Sequence, residues 1–394
     1  MPGCAPVRSL IPLVFALAVA DAAPARELAA TLDNTCLDKG CTRHALDHFD
    51  AALAAQRSGK ATHTLRVSYF GDSLTADDHI THALREKLGA LVGEGGPGFV
   101  FAAPPHPYCQ HRAVSRIVGG DWQIHGVSMS PPLDHLIGLG GSAEGTGSIR
   151  LASTAPVTSV DIHFLAQPRG GTLAVLAGGK LIEQVATLGD RKRAGFAKVG
   201  LPEGTTKIEL RAAGRVRLFG AALEATRGAV VDNLGVVNAT AKAFNKNNLK
   251  AHWRHQLAHR DSDLVIVMLG TNEAGWLQAG GAGMAEHEHV FSELLASVRA
   301  GNQNASCLVV SPLDQMDYGV GKLVPRASIP AMVDAQRRAA AANGGAFWDV
   351  YQWMGGKGAS LGWFKRGLVI KDFQHPTWKG AARLADALYR GLVR

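Results

Sequence analysis

The stretch Leu65-Arg66-Val67-Ser68-Tyr69-Phe70-Gly71-Asp72-Ser73-Leu74 decides how this chain is read. Leu65 to Phe70 is an apolar run of the length of a buried strand, and a helical pattern begins at about Asp77. Ser73 therefore falls on a strand-to-helix turn, which presents a hydroxyl at the carboxyl edge of a sheet. A Gly-Asp-Ser triplet alone is ordinary turn chemistry. Its weight depends on what the chain can place beside it.

Two distant stretches supply candidates. Leu269-Gly270-Thr271-Asn272-Glu273 follows another apolar run, and Asp372-Phe373-Gln374-His375 precedes a final amphipathic helix. A serine hydroxyl needs a base, which His375 can provide. Asp372, three residues earlier, is near enough to fix the imidazole tautomer and stabilise the imidazolium. Asn272 would offer an amide donor to an oxyanion. Taken singly, Asp-x-x-His is commonly a helix cap beside a surface histidine. Order and context turn the three stretches into one expected site for acyl transfer through a serine nucleophile.

Periodicity changes twice along the chain. Apolar strands alternate with helices at Leu264 to Leu269, Glu286 to Arg299, Leu308 to Ser311 and Ile329 to Ala342, the pattern of a parallel sheet covered by helices on both faces. From about His111 to Ala225 the pattern is strand-like instead. Val157 to Phe164, Thr172 to Leu176, Leu181 to Ala186, Lys207 to Ala212 and Val216 to Ala222 are short runs separated by glycine-rich turns, as in a β-sandwich.

These stretches resemble the GDSL family of the SGNH hydrolase superfamily, whose four signature residues fall on Ser73, Gly235, Asn272 and His375. Gly235 closes Val230-Val231-Asp232-Asn233-Leu234-Gly235, and the resemblance implies that its N–H joins those of Ser73 and the Asn272 amide in the oxyanion hole. It also implies Asp372 as the third catalytic residue. Gly93-Glu94-Gly95-Gly96-Pro97-Gly98-Phe99-Val100, Met354-Gly355-Gly356-Lys357-Gly358-Ala359-Ser360 and the run Trp363 to His375 are similar, more narrowly, to periplasmic peptidoglycan O-acetylesterases. That likeness covers roughly Leu65 to Tyr108 and Gly228 to Arg394. It implies a three-layer α/β/α flavodoxin-like sheet, no cofactor and no metal. The implied substrate is an O-acetylated polysaccharide, peptidoglycan acetylated on the 6-hydroxyl of muramoyl residues. A lipase, a thioesterase, an acetyltransferase or a non-catalytic wall-binding protein on the same core remain alternatives.

The expected organisation is a signal peptide over 1–20, a first hydrolase part over 21–110, an inserted β-sandwich like a carbohydrate-binding module over 111–225, and a second hydrolase part over 226–394. Arg8 followed by the apolar run Leu10 to Ala20 is too short to span a bilayer and ends in small residues suited to cleavage after Ala20. A retained anchor is the alternative. Export to the periplasm or beyond makes Cys36 and Cys41, which flank Leu37-Asp38-Lys39-Gly40, a natural disulfide pair. Cys307 opens an apolar run and reads as a buried free thiol, with pairing to Cys109 the lesser possibility. The formal charge of +8 suits an anionic wall polymer. No basic run interleaved with aromatics points to nucleic acid, and no other segment is long and apolar enough for stable membrane insertion. His252, His255 and His259 share a helix face at a metal-compatible spacing but read as a solvated face, because no carboxylate or thiolate motif accompanies them.

Overall fold

The computed structural model describes residues 29–281, 283–319 and 321–393. The expected leader lies outside the described residues. Among those described, no helix is long and apolar enough to cross a membrane.

Five strands run parallel: Leu65–Gly71, Ala229–Gly235, Leu264–Met268, Ser306–Val310 and Ala346–Trp348. Numbered in chain order they lie 2-1-3-4-5 across the sheet, and Leu32–Asp33 adds an antiparallel edge. Their residues are almost all buried, because helices cover both faces. The pleat sends alternate side chains to opposite cores. Val67 and Tyr69 pack with Phe49, Leu84, Leu88, Leu384 and Leu388 on one side. Phe70 packs with Phe244, Trp253, Phe291 and Ile329 on the other. The closing helix Trp378–Leu392 shows how sequence makes such a layer. Thr377 Oγ1 accepts the Gly380 N–H at its start, and Ala381, Leu384, Ala385, Leu388 and Leu392 form the buried stripe. The architecture is the expected three-layer α/β/α with an added antiparallel sheet.

That second sheet is organised by one long strand. The runs Lys207 to Ala212 and Val216 to Ala222 join into Lys207–Glu224, with a register shift between Ala212 and Val216. Its first half pairs with Gly141–Ser153 and Thr172–Ala177, and its second half with Ser159–Ala166 and Gly98–Phe101. The single eight-stranded sheet built on this strand buries Val100, Ile149, Val160, Ile162, Leu173 and Ile208 in a cluster of its own. Gly98–Phe101 precedes residue 111 yet forms part of this sheet.

Charged residues clamp the two units together. Arg260, fully buried on the helix Lys250–Arg260, donates to Asp232 (2.7 and 2.8 Å) and to Glu224 (2.6 Å), while Arg66 adds a second cation to Glu224 at 3.1 Å. Asp232 also accepts Ser68 Oγ and the Phe99 N–H. Burial alone would raise both carboxyl pKa values. The Arg260 guanidinium, together with Arg66 on Glu224 and the Phe99 and Ser68 bonds on Asp232, outweighs it, holding Asp232 below the usual range and Glu224 at about 2.

The histidine face is solvated only in part, since His255 is exposed while His252 and His259 are covered to different degrees. His252 is buried with Nε2 accepting the Gly138 N–H, and His259 Nε2 bonds Asp161 Oδ2 at 2.8 Å while its ring stacks on Phe196. The antiparallel sheet covers that helix, which the helix's own pattern could not show. Cys36 and Cys41 form the expected disulfide, and Cys109 and Cys307 are buried free thiols.

Candidate active site

Gly71 pairs in register with Gly235 on one side and Met268 on the other, so the turns carrying Ser73, Gly235 and Asn272 leave the sheet at one level. The site lies at the carboxyl ends, where the order 2-1-3 reverses direction, the place such sheets bind ligands. Ser73 opens a single helical turn, Ser73–Ala76, and the tight entry demands glycine before it. A Cβ on Gly71 would lie 2.1 Å from Thr75 Oγ1. Asp72 caps the turn by accepting the Leu74 N–H at 3.0 Å. It is wholly buried, and burial raises its pKa.

Ser73 Oγ lies 2.8 Å from His375 Nε2, and His375 Nδ1 lies 2.7 Å from Asp372 Oδ2. The other Asp372 oxygen accepts the N–H groups of Gln374 (2.9 Å) and His375 (3.0 Å). Burial works to raise the Asp372 pKa, but the bond from the His375 ring and these two backbone bonds together bring it below its ordinary value. The bond to Asp372 raises the His375 pKa, with partial burial opposing and Asp72 and Asp77 adding smaller attractions. A nucleophile, a base and an orienting carboxylate are thus linked in one chain of hydrogen bonds.

Asn272 sits in the first turn of Thr271–Gln278, with Nδ2 donating to the Ala239 carbonyl at 3.0 Å. That bond aims the amide and uses one of its two hydrogens. Gly235 stands close by, but its N–H is donated to Asn233 Oδ1 at 3.1 Å. What its position visibly requires is the absence of a side chain, since a Cβ would come within 2.5 Å of the Ala76 nitrogen. Glu273, next to Asn272, is buried with Oε1 on the Ala241 N–H, and burial pushes its pKa up to about 7. Asp78, at the N-cap of the helix His79–Val92, is buried and bonds Thr81, Arg85 and the Arg112 N–H.

Sequence reasoning missed the groove beside Asn272, which is lined by Ser128, Asn238, Lys242, Lys246 and Trp276. The exposure of Trp276 is a tertiary property. Only its place four residues after Asn272 on a helix could have hinted at it.

Residues 203–383 match the GDSL-like Lipase/Acylhydrolase family model, a span that holds Gly235, Asn272, Asp372 and His375 but not Ser73, which the β segment separates from them. The parallel sheet, the Ser73–His375–Asp372 chain and that match make this chain similar to GDSL-like lipases and acylhydrolases. In fold the chain is similar to a peptidoglycan O-acetylesterase of solved structure, at 24% identity and a TM-score of 0.73, covering 87% of this chain and 94% of that one. An α/β hydrolase from the metagenome of Lake Arreo, Spain, aligns at 18% identity and TM-score 0.32, covering 42% and 74%. An acetyl-xylooligosaccharide esterase from Geobacillus aligns at 18% and 0.32, covering 42% and 73%. No curated protein sequence matches.

Proposed function

We propose that this protein removes O-acetyl groups from a cell-wall glycan, namely peptidoglycan acetylated on muramoyl residues, outside the cytoplasm. The observation that carries the chemistry is the unbroken chain from Ser73 Oγ through His375 to Asp372, beside the oriented Asn272 amide. The choice of substrate is supported by likeness to a peptidoglycan O-acetylesterase across both the parallel and the antiparallel sheet units. It is also supported by the Ser128, Asn238 and Asn247 side chains lining the groove next to Asn272, which offer a sugar hydrogen-bonding partners.

In this reading His375 takes the Ser73 proton as Oγ attacks the acetyl carbonyl. The negative oxygen is received by the Ser73 N–H and the second Asn272 Nδ2 hydrogen. Gly235 contributes by letting the Ser73 turn pack against its strand rather than by donating its committed N–H. His375 then protonates the leaving sugar hydroxyl. Water, deprotonated by the same ring, releases acetate and restores Ser73. Acetyl, butyryl and octanoyl esters of one chromogenic alcohol, compared with O-acetylated peptidoglycan, test the reading. Preference for acetyl and acetate release from the polymer support it, and preference for the long chains would overturn it.

A further inference from the structure

A groove of about 650 Å³ opens beside Asn272, and its other walls carry Lys242, Lys246, Trp276, Asn238 and Ser128. Lys242 and Lys246 stand one turn apart on Ala241–Asn247 and face the same way. Lys242 reaches Glu286 at 3.2 Å, but both side chains are more than half exposed, so that pair is weak and exchangeable. Lys246 has no carboxylate partner among the described residues. Trp276, 53% exposed, stands one helical turn beyond Asn272, where an indole with one apolar face in water can receive the C–H face of a sugar ring. The wall is held in place. Ser128 Oγ donates to the Val237 carbonyl at 2.6 Å, and Asn247 Nδ2 to the Val127 carbonyl at 2.9 Å, joining the segment after the strand Val114–Gly126 to the catalytic unit.

We infer that this groove is a subsite for an anionic glycan, in which a pyranose ring packs on Trp276 while a carboxylate borne next to the acetylated sugar is received by Lys242 and Lys246. The inference rests on the esterase reading and names the feature of the polymer that the enzyme grips. The carboxylate has two sources, the sugar's own acidic substituent or a peptide attached to it, and both present the same chemistry to an ammonium pair.

The test compares the wild type with the double variant Lys242→Gln/Lys246→Gln and with Trp276→Ala. Substrates are a chromogenic acetyl ester, a neutral O-acetylated oligosaccharide, and carboxylated O-acetylated glycan strands with and without their peptides. In the double variant, KM for carboxylated glycan should rise roughly three- to tenfold with kcat unchanged, and the wild type's loss of affinity with added salt should disappear. The small ester and the neutral oligosaccharide should be processed as before, which also shows that the variant is folded. Trp276→Ala should raise KM for both kinds of sugar and leave the small ester alone. A KM rise on peptide-bearing strands only assigns the carboxylate to the peptide, and a rise on both assigns it to the sugar. Unchanged KM and salt response on both carboxylated glycans would overturn the inference, as would an equal loss on the small ester. A wild-type enzyme inactive on every acetyl ester would instead remove the esterase reading itself.

Discussion

Phe373, between Asp372 and Gln374, has a φ of 59°, a left-handed conformation costly for a bulky side chain. It is buried beside Phe364 and Tyr318, and the reversal lets Asp372 meet both backbone N–H groups and the His375 ring. Because that contact raises the His375 pKa and the base must be neutral, turnover should fall as pH drops through a midpoint above the ordinary histidine value. Asp372→Asn should move the midpoint down and cut kcat by about 10⁴-fold. A pH–rate profile with an unmoved midpoint would contradict the assignment. Gly235→Ala should reduce activity together with thermal stability, because the added methyl must push the Ser73 turn away; wild-type activity and stability would contradict that close packing. That Ser73, Asp372 and His375 would meet was legible in sequence, since the chemistry restricts residue type and each lies next to a recognisable strand or helix. The commitment of the Gly235 amide was not, because it depends on the rotamer of Asn233.

At the scale of elements, Arg260 binds a helix, a parallel strand and the long antiparallel strand at once. Arg260→Met removes the shared cation, leaving Glu224 with Arg66 alone and Asp232 with no cation but only Ser68 Oγ and the Phe99 N–H, which should cost about 3–5 kcal/mol in denaturant unfolding. The pH sign follows from the lowered carboxyl values. Their stabilisation is present above the ordinary carboxylate range and is lost as pH falls toward about 2, so wild-type stability should drop through that window. The variant, already lacking the contribution at neutral pH, should change less. Equal acid sensitivity of the two proteins would show that the clamp is not the source. The parallel strands were legible as apolar runs because both their faces are buried. Val114–Gly126 and Gly141–Ser153 were not, since glycine, serine and charged residues interrupt any alternation.

For the whole molecule, the change of periodicity after about residue 111 located the β unit but not its attachment. Gly98–Phe101 pairs with Gly220 to Leu223, Phe99 and Phe101 enter the helical core, and Glu224 holds Arg66 and Arg260. Replacing residues 111–225 by a short linker should therefore yield protein that is insoluble or unfolds without cooperativity in a thermal melt. A soluble product with wild-type activity on a small acetyl ester would show the unit to be separable. The central claim is that Ser73 accepts the acetyl group of an O-acetylated wall glycan. The most direct measurement is rapid acid quenching of the enzyme during turnover of O-acetylated peptidoglycan, with mass analysis of the peptide carrying Ser73 alongside released acetate. The wild type should carry one acetyl group on Ser73 and release free acetate, and Ser73→Ala should do neither. Acetate release by Ser73→Ala, or an acetyl group on another residue with Ser73 unmodified, would contradict it.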